Sequence, residues 1–247
     1  MPSLFAVHTS CVIPQAQSSP RRPAALAPGF DPRTVPVLGV DAHLPAVPAS
    51  ALTADALRHR FAAPPLWSPE IERERSGTGH AQAEAAVLIA IVLRDEPMLL
   101  LTERSLHLST HSGQVAFPGG KRDPEDVDAA ATALREAQEE VGLDPALVEV
   151  LGSLPPYVTG TGFVVTPVVA LVQPQVRYQP NPHEVADLFE VPLAFVLDPA
   201  HHQRHALQRP EGLREWFSMP YQAGDRQHYI WGATAGMLRN FYRFMQA

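Results

Sequence analysis

Cysteine is almost missing from this chain of 247 residues: Cys11 stands alone. That excludes an internal disulfide and any zinc site built on cysteine pairs. Basic charge is scarce too. Nineteen lysines and arginines face 26 acids, giving a formal net charge of −7. A nucleic-acid polymer, which needs a basic surface, is therefore not an expected partner. No apolar run approaches the roughly 18 residues of a membrane-spanning helix, so no membrane partner is expected either. The first residues lack a basic stretch followed by an apolar core, which argues against secretion. Residues 1–30 hold no acid and only Arg21 and Arg22, a faint feature of organelle leaders. The final Met-Gln-Ala is no peroxisomal address, and the cytoplasm is the expected location.

Proline is plentiful. Nine of the 26 prolines fall in the first 50 residues, among alanines and serines and without a sustained apolar period. Residues 1–50 are therefore read as a flexible Pro/Ala-rich extension, and a chain beginning at Ala51 is expected to fold and act. Residues 51–82 are read as a short helix, "LTADALRHRF" (52–61) capped by Thr53, followed by a linker that runs through "RERSGTGHAQAE" (73–84). The remainder, 83–247, has the pattern of one domain. Strands are expected at "AAVLIAIVL" (85–93), "MLLLTE" (98–103), "QVAF" (114–117), "VEVLGSL" (148–154) and "FVVTPVVALVQ" (163–173). Helical segments are expected near 181–197 and at "GATAGMLRNFYRFMQ" (232–246). Strands interspersed with helices give an α/β (α+β) class, with a mixed sheet covered on both faces.

One further helix is the most informative segment. In "REAQEEVGL" (135–143), Glu136, Glu139 and Glu140 stand at i, i+3 and i+4 and share a face. Ala130, Leu134, Ala137 and Val141 form a stripe roughly opposite, for packing. Asp126 or Asp128 caps the start, Gly142 suits a left-handed C-terminal position, and Asp144-Pro145 prevents continuation. Two readings of the acidic face stand side by side. It is a solvated face with Arg135 paired to Glu139, or it holds a hard divalent cation such as Mg²⁺ or Mn²⁺, for which oxygen donors are suited. Just upstream, "PGG" (118–120) is a tight turn or a close backbone approach to a ligand.

Taken together, these residues resemble the Nudix box, in which a glycine and an acid precede Arg-Glu-aliphatic-x-Glu-Glu-x-Gly-aliphatic. Arg135, Glu136, Ala137, Glu139, Glu140, Gly142 and Leu143 match; Asp126 takes the position of the leading acid, with one residue more before Arg135. Further upstream, "LLTERS" and "GQVAFPGG" resemble the additional motif of the Nudix coenzyme A pyrophosphatases. Leu100, Leu101, Thr102, Arg104, Ser105, Gly113, Phe117, Pro118, Gly119 and Gly120 fit in register, while Ser109 stands where that subfamily often has a second arginine.

The resemblance implies a Nudix-type α/β/α sandwich over 83–247 and a Mg²⁺- or Mn²⁺-dependent pyrophosphohydrolase of coenzyme A or an acyl derivative. Glu136, Glu139 and Glu140 are then the metal ligands, with a carbonyl of Gly120 or Gly119. Arg135 orients a carboxylate, and Glu139 or Glu184 is the general base. Arg104, Ser105, Gly113, Lys121 and Arg122 line the substrate, Lys121 and Arg122 by adjacency to Gly120. His107 and His111 suit phosphate contact better than a metal pair, and Trp231 is a core anchor or an adenine stack. Hydrolysis of another nucleoside diphosphate derivative, such as ADP-ribose or a dinucleotide, and a non-catalytic binding protein are the alternatives. Monomer and homodimer both remain open.

Overall fold

A computed structural model of the chain describes residues 30–74, 83–105, 113–210 and 212–247. In chain order its elements begin with β1 (Gly39–Val40), α1 (Ala54–Ala62), β2 (Ala83–Leu93), β3 (Pro97–Arg104), β4 (Val115–Ala116) and β5 (Gly119–Lys121). Then come α2 (Ala129–Val141), β6 (Val148–Ser153), β7 (Tyr157–Val158), β8 (Phe163–Val172), β9 (Val185–Pro192) and the single turn α3 (Leu193–Val196). The last elements are β10 (Gln203–Arg209), β11 (Gly212–Ala223), β12 (Arg226–Trp231) and α4 (Gly232–Gln246).

β2 is the axis of an eight-stranded mixed sheet. It runs parallel to β8, from Ala83 opposite Phe163 to Val92 opposite Val172. It also pairs antiparallel with β5 at Ala85–Val87 and with β3 at Ile91–Leu93. Its apolar run is unbroken because both faces are covered. Ala86, Leu88, Ala90 and Val92 pack against Ala133, Ala137 and Val141 of α2. Ile89 and Ile91 face the opposite core, which α4 closes with Leu238, Phe241, Tyr242 and Met245. Beyond α4 lies a second, four-stranded sheet in the order β1-β10-β11-β12.

Two expectations are corrected. Residues 181–197 form strand β9 and one helical turn rather than a longer helix. β9 pairs with β3 through a bulge: Glu103 lies opposite Asp187, but Arg104 lies opposite Val185, so Ala186 is left over. Val185 and Leu188 consequently share the α2 side, and that i,i+3 spacing is what imitates a helix. The boundary near residue 50 also moves, because residues 30–50 are packed chain. β1 pairs with β10, Val35 and Val47 are buried, and the Tyr242 hydroxyl donates to the Pro45 carbonyl at 2.9 Å. Buried Asp41 meets Arg239 at 3.1 Å and Arg204 at 3.0 Å. Proline does not prevent this, since isolated apolar plugs and accepted hydrogen bonds need no period. Helix α1 starts where Thr53 accepts from the Ala56 N–H at 3.3 Å. Of the expected linker, Arg73 and Glu74 lie along Val158, and 75–82 lie outside the described residues.

Candidate active site

Helix α2 begins at Asp128, whose carboxylate accepts the Ala131 N–H at 2.8 Å, and ends at Gly142 with φ 67°. Alanines at 133 and 137 let it lie close on β2. This places Glu140 near the packed side: it is 4% exposed, although it belongs to the row opposite the expected packing stripe. Its carboxylate accepts the Gly119 N–H at 3.2 Å and lies 3.8 Å from the Arg104 guanidinium. Burial pushes its pKa up to about 7; the Gly119 N–H and Arg104 oppose the rise, and the charges of Glu136 and Glu184 add to it. Glu136 is raised by the same burial, against the pull of Arg135, with Glu139 and Glu184 reinforcing the rise. Glu139 lies at the rim, 57% exposed.

Arg135 ties the group together. It forms two bonds to Asp126, at 3.1 and 3.0 Å. It also reaches Glu136 at 2.9 Å, Glu139 at 3.1 Å and the Lys121 carbonyl at 3.0 Å. Those bonds from Arg135 hold Asp126 well below the usual carboxylate range, helped by the Asp123 N–H. The extra residue before Arg135 is thus absorbed in the loop, and Asp126 serves as the anchor of the arginine rather than as the helix cap.

Strand β5 carries the glycines past these carboxylates. A Cβ on Gly120 would stand 2.4 Å from Glu136 Oε2, and one on Gly119 (φ 155°) 2.4 Å from the Ala86 carbonyl. From the other side, the end of β3 brings Arg104 to Glu140. The Gly113 N–H donates to the Arg104 carbonyl at 3.0 Å, and the Ser105 N–H donates to the Glu184 carbonyl at 2.8 Å.

A model of the NUDIX domain matches residues 83–217. The chain belongs to the Nudix hydrolase family. An uncharacterized Nudix hydrolase of Escherichia coli K12, NudL, is 46% identical over 190 residues, which is 76% of this chain and 93% of NudL. Among solved structures, a Caenorhabditis elegans Ap4A hydrolase is similar at 21% identity, covering 48% of this chain and 86% of that one, with a TM-score of 0.40. The Nudix domain of Shewanella oneidensis NrtR, solved with ADP ribose, is similar at 22% identity, covering 56% and 84%, with a TM-score of 0.38.

Nudix hydrolases generally use divalent metals, and the donors here suit one. Burial, with the charge of Glu184 adding to it, raises the proton affinity of Glu136 and Glu140 in a half-buried cleft, and an all-oxygen set of this kind fits a hard cation. Glu136, Glu139 and Glu140 with the Gly120 carbonyl are the candidates to hold it.

The expected residues divide as follows. Arg135, Glu136, Glu139, Glu140, Gly120, Glu184, Arg104 and Ser105 are brought together. Gly113 closes the base of the adjoining loop, while His107, Ser109 and His111 lie outside the described residues. Lys121 stands over the Phe163 ring at 5.5 Å. Arg122 meets Glu84 at 2.8 Å and the Asp126 carbonyl at 3.3 Å, and it would have to release them to reach a substrate. Trp231 packs with Trp216 and Phe30, as a core anchor does. Asn181 was not foreseen. Its side chain donates to Glu184 at 3.2 Å, and its backbone N–H donates to the Glu140 carbonyl at 2.8 Å; the turn signal Asn-Pro just ahead of Glu184 is the clue in the sequence. A cavity of about 560 Å³ lies elsewhere, between the linker, β7, β11 and α4. Glu70, Glu72, Glu74 and Glu215 alternate there with Arg73, Arg204 and Arg214. That mixed lining contains none of the box residues.

Proposed function

We propose that this Nudix hydrolase cleaves the pyrophosphate bond of coenzyme A or an acyl derivative, giving 4′-phosphopantetheine and adenosine 3′,5′-bisphosphate. The observation that carries this reading is Arg104, a residue of the upstream motif. Its guanidinium lies beside the buried Glu140, and its Nε is buried with no hydrogen-bond partner among the described residues. An arginine at the mouth of a carboxylate cleft, with one donor that the described residues leave unused, suits a phosphate group. Ser105 and Gly113, from the same motif, hold the strand end that presents it.

When bound, Mg²⁺ or Mn²⁺ would offset phosphate charge and lower the pKa of a water. Arg135 fixes the carboxylates of Glu136 and Glu139 in place. Gly120 leaves room for Glu136, and Asn181 orients Glu184. A water oxygen bonds to one phosphorus, the bond from that phosphorus to the bridging oxygen breaks, and the leaving phosphate takes the electron pair. The water's proton passes to a carboxylate, for which Glu184 and Glu139 are the candidates. Lys121, exposed at the end of β5, would have to leave the Phe163 ring to meet a second phosphate.

The test is a panel of coenzyme A, acyl derivatives, ADP-ribose and dinucleotides, given to the purified chain with Mg²⁺ and with Mn²⁺, products being identified by mass. Coenzyme A or an acyl derivative should give the highest kcat/KM. A preference for ADP-ribose or a dinucleotide would assign the other substrate class, the one that Ser109 in place of arginine keeps open.

A further inference from the structure

Adjacent residues on β3 point to opposite faces, so while Arg104 enters the carboxylate cleft, Glu103 points away from it. There it meets Asp187 of β9 and His228 of β12. One ligand atom from each of the three lies within 4.8 Å of the other two, and Glu103 Oε2 is 3.9 Å from His228 Nδ1. The imidazole is 3% exposed and lies flat on Phe189, with ring centroids 3.6 Å apart. Its Nδ1 is buried with no hydrogen-bond partner among the described residues. Native structures rarely leave such a nitrogen unsatisfied, and this one is aimed at two carboxylates.

We propose that Glu103, Asp187 and His228 form a second metal site, distinct from the carboxylate cleft, which takes a divalent ion of borderline character such as Zn²⁺. One imidazole and two carboxylates are the donor types that zinc accepts. Zn–N and Zn–O bonds of roughly 2.0–2.2 Å put neighbouring donors about 3.4 Å apart in a tetrahedral site. The donor atoms therefore need to close by up to about 1.4 Å. Burial also lowers the proton affinity of His228, with Arg226 adding to the effect, so the ring nitrogen offers a lone pair at neutral pH.

Arg226 at present occupies the carboxylates, at 2.8 Å from each. Its side chain is 53% exposed and free to swing into solvent. Arg226 alone accounts for the two acids but not for the unpartnered imidazole beside them. A bound ion would link β3 and β9 of the large sheet to β12 of the small one, and it would hold the strand end that presents Arg104.

The experiment titrates Zn²⁺ into the full chain in excess Mg²⁺, which competes for the oxygen-only cleft. Binding is read by calorimetry, and nitrogen ligation by X-ray absorption. One zinc equivalent with a nitrogen donor is expected, lost in His228→Gln and in Asp187→Asn. Equal stoichiometry and affinity in folded His228→Gln would overturn the site. Should that variant fail to fold, Arg226→Ala decides, since it removes only a half-exposed competitor. Zinc affinity at least tenfold tighter supports the proposal, and unchanged or weaker affinity refutes it.

Discussion

Replacing Glu140 by glutamine keeps its shape and removes its charge, and the effect on stability should depend on pH. In the folded, metal-free protein burial raises this carboxyl from the ordinary 4.5 to about 7. Between those values the native state holds a proton that the unfolded state has released, so stability falls as pH rises. At ~1.4 kcal/mol per pKa unit, the full loss above pH 7 is roughly 3 kcal/mol. Glutamine escapes that loss, and its amide oxygen can still accept the Gly119 N–H. Glu140→Gln should therefore match the wild type near pH 4.5, and by pH 8 in EDTA it should be more stable by up to roughly 3 kcal/mol. Urea melts from pH 5 to 9 measure the difference. Turnover should fall at least ~10²-fold, the scale of one lost electrostatic contact to a transition state. A stability gap that does not widen with pH, or a variant less stable at pH 8, would refute the assignment of Glu140 as the desolvated acid; near-normal turnover would refute its place in catalysis.

Arg104→Ala should raise KM for coenzyme A more than for its 3′-dephospho form, by the ~1.5–3 kcal/mol of a charge-assisted contact; equal effects would mean that Arg104 does not read that phosphate. Gly120→Ala should displace only the end of the Glu136 side chain, so activity should fall sharply while the thermal melt barely moves. Gly119→Ala meets backbone and a positive φ, so it should cost stability, of order 1–3 kcal/mol from the strained conformation alone. A chain beginning at Ala51 loses Val35, Val47 and Asp41 and leaves buried Arg239 without one of its carboxylates. It should melt at least several degrees lower, since each buried valine alone contributes about 1.5–3 kcal/mol, even though Glu70 still pairs with Arg239 at 2.8 Å; an unchanged melt would restore the boundary at residue 50.

The helix with its caps, the strands around it and the grouping of Glu136, Glu139, Glu140 and Arg135 were legible because each depends on residues within a turn or two of one another. Two things were not. The depth of Glu140 was not legible because a helical wheel gives angles between side chains but not the tilt against the sheet, and alanines at 133 and 137 let α2 settle deeply enough to bury Glu140. The β10–β12 sheet gave no local signal, because a strand such as "QRHALQR" (203–209) mixes polar and apolar positions and is fixed by its partners. Asp126 and Asn181 act through pairings that a linear spacing does not encode. Strand β9 misled for a specific reason: its bulge at Ala186 breaks the alternation that strands otherwise show.

The two cores also close at different points along the chain. The α2-side core has all its buried residues once Val185 is available, whereas the opposite one needs Phe241, Tyr242 and Met245 of α4. At ~5–20 residues per second, a ribosome takes about 3–12 s to add the 60 residues from 186 to 245. For that interval the far face of β2 and β8, with Ile89, Ile91, Val169 and Leu171, lacks the cover of α4. A ribosome-bound chain stalled after residue 200 should therefore resist protease around α2 yet be captured by a chaperone that binds exposed apolar strands. The catalytic half of this protein would then be assembled before the half that keeps it soluble.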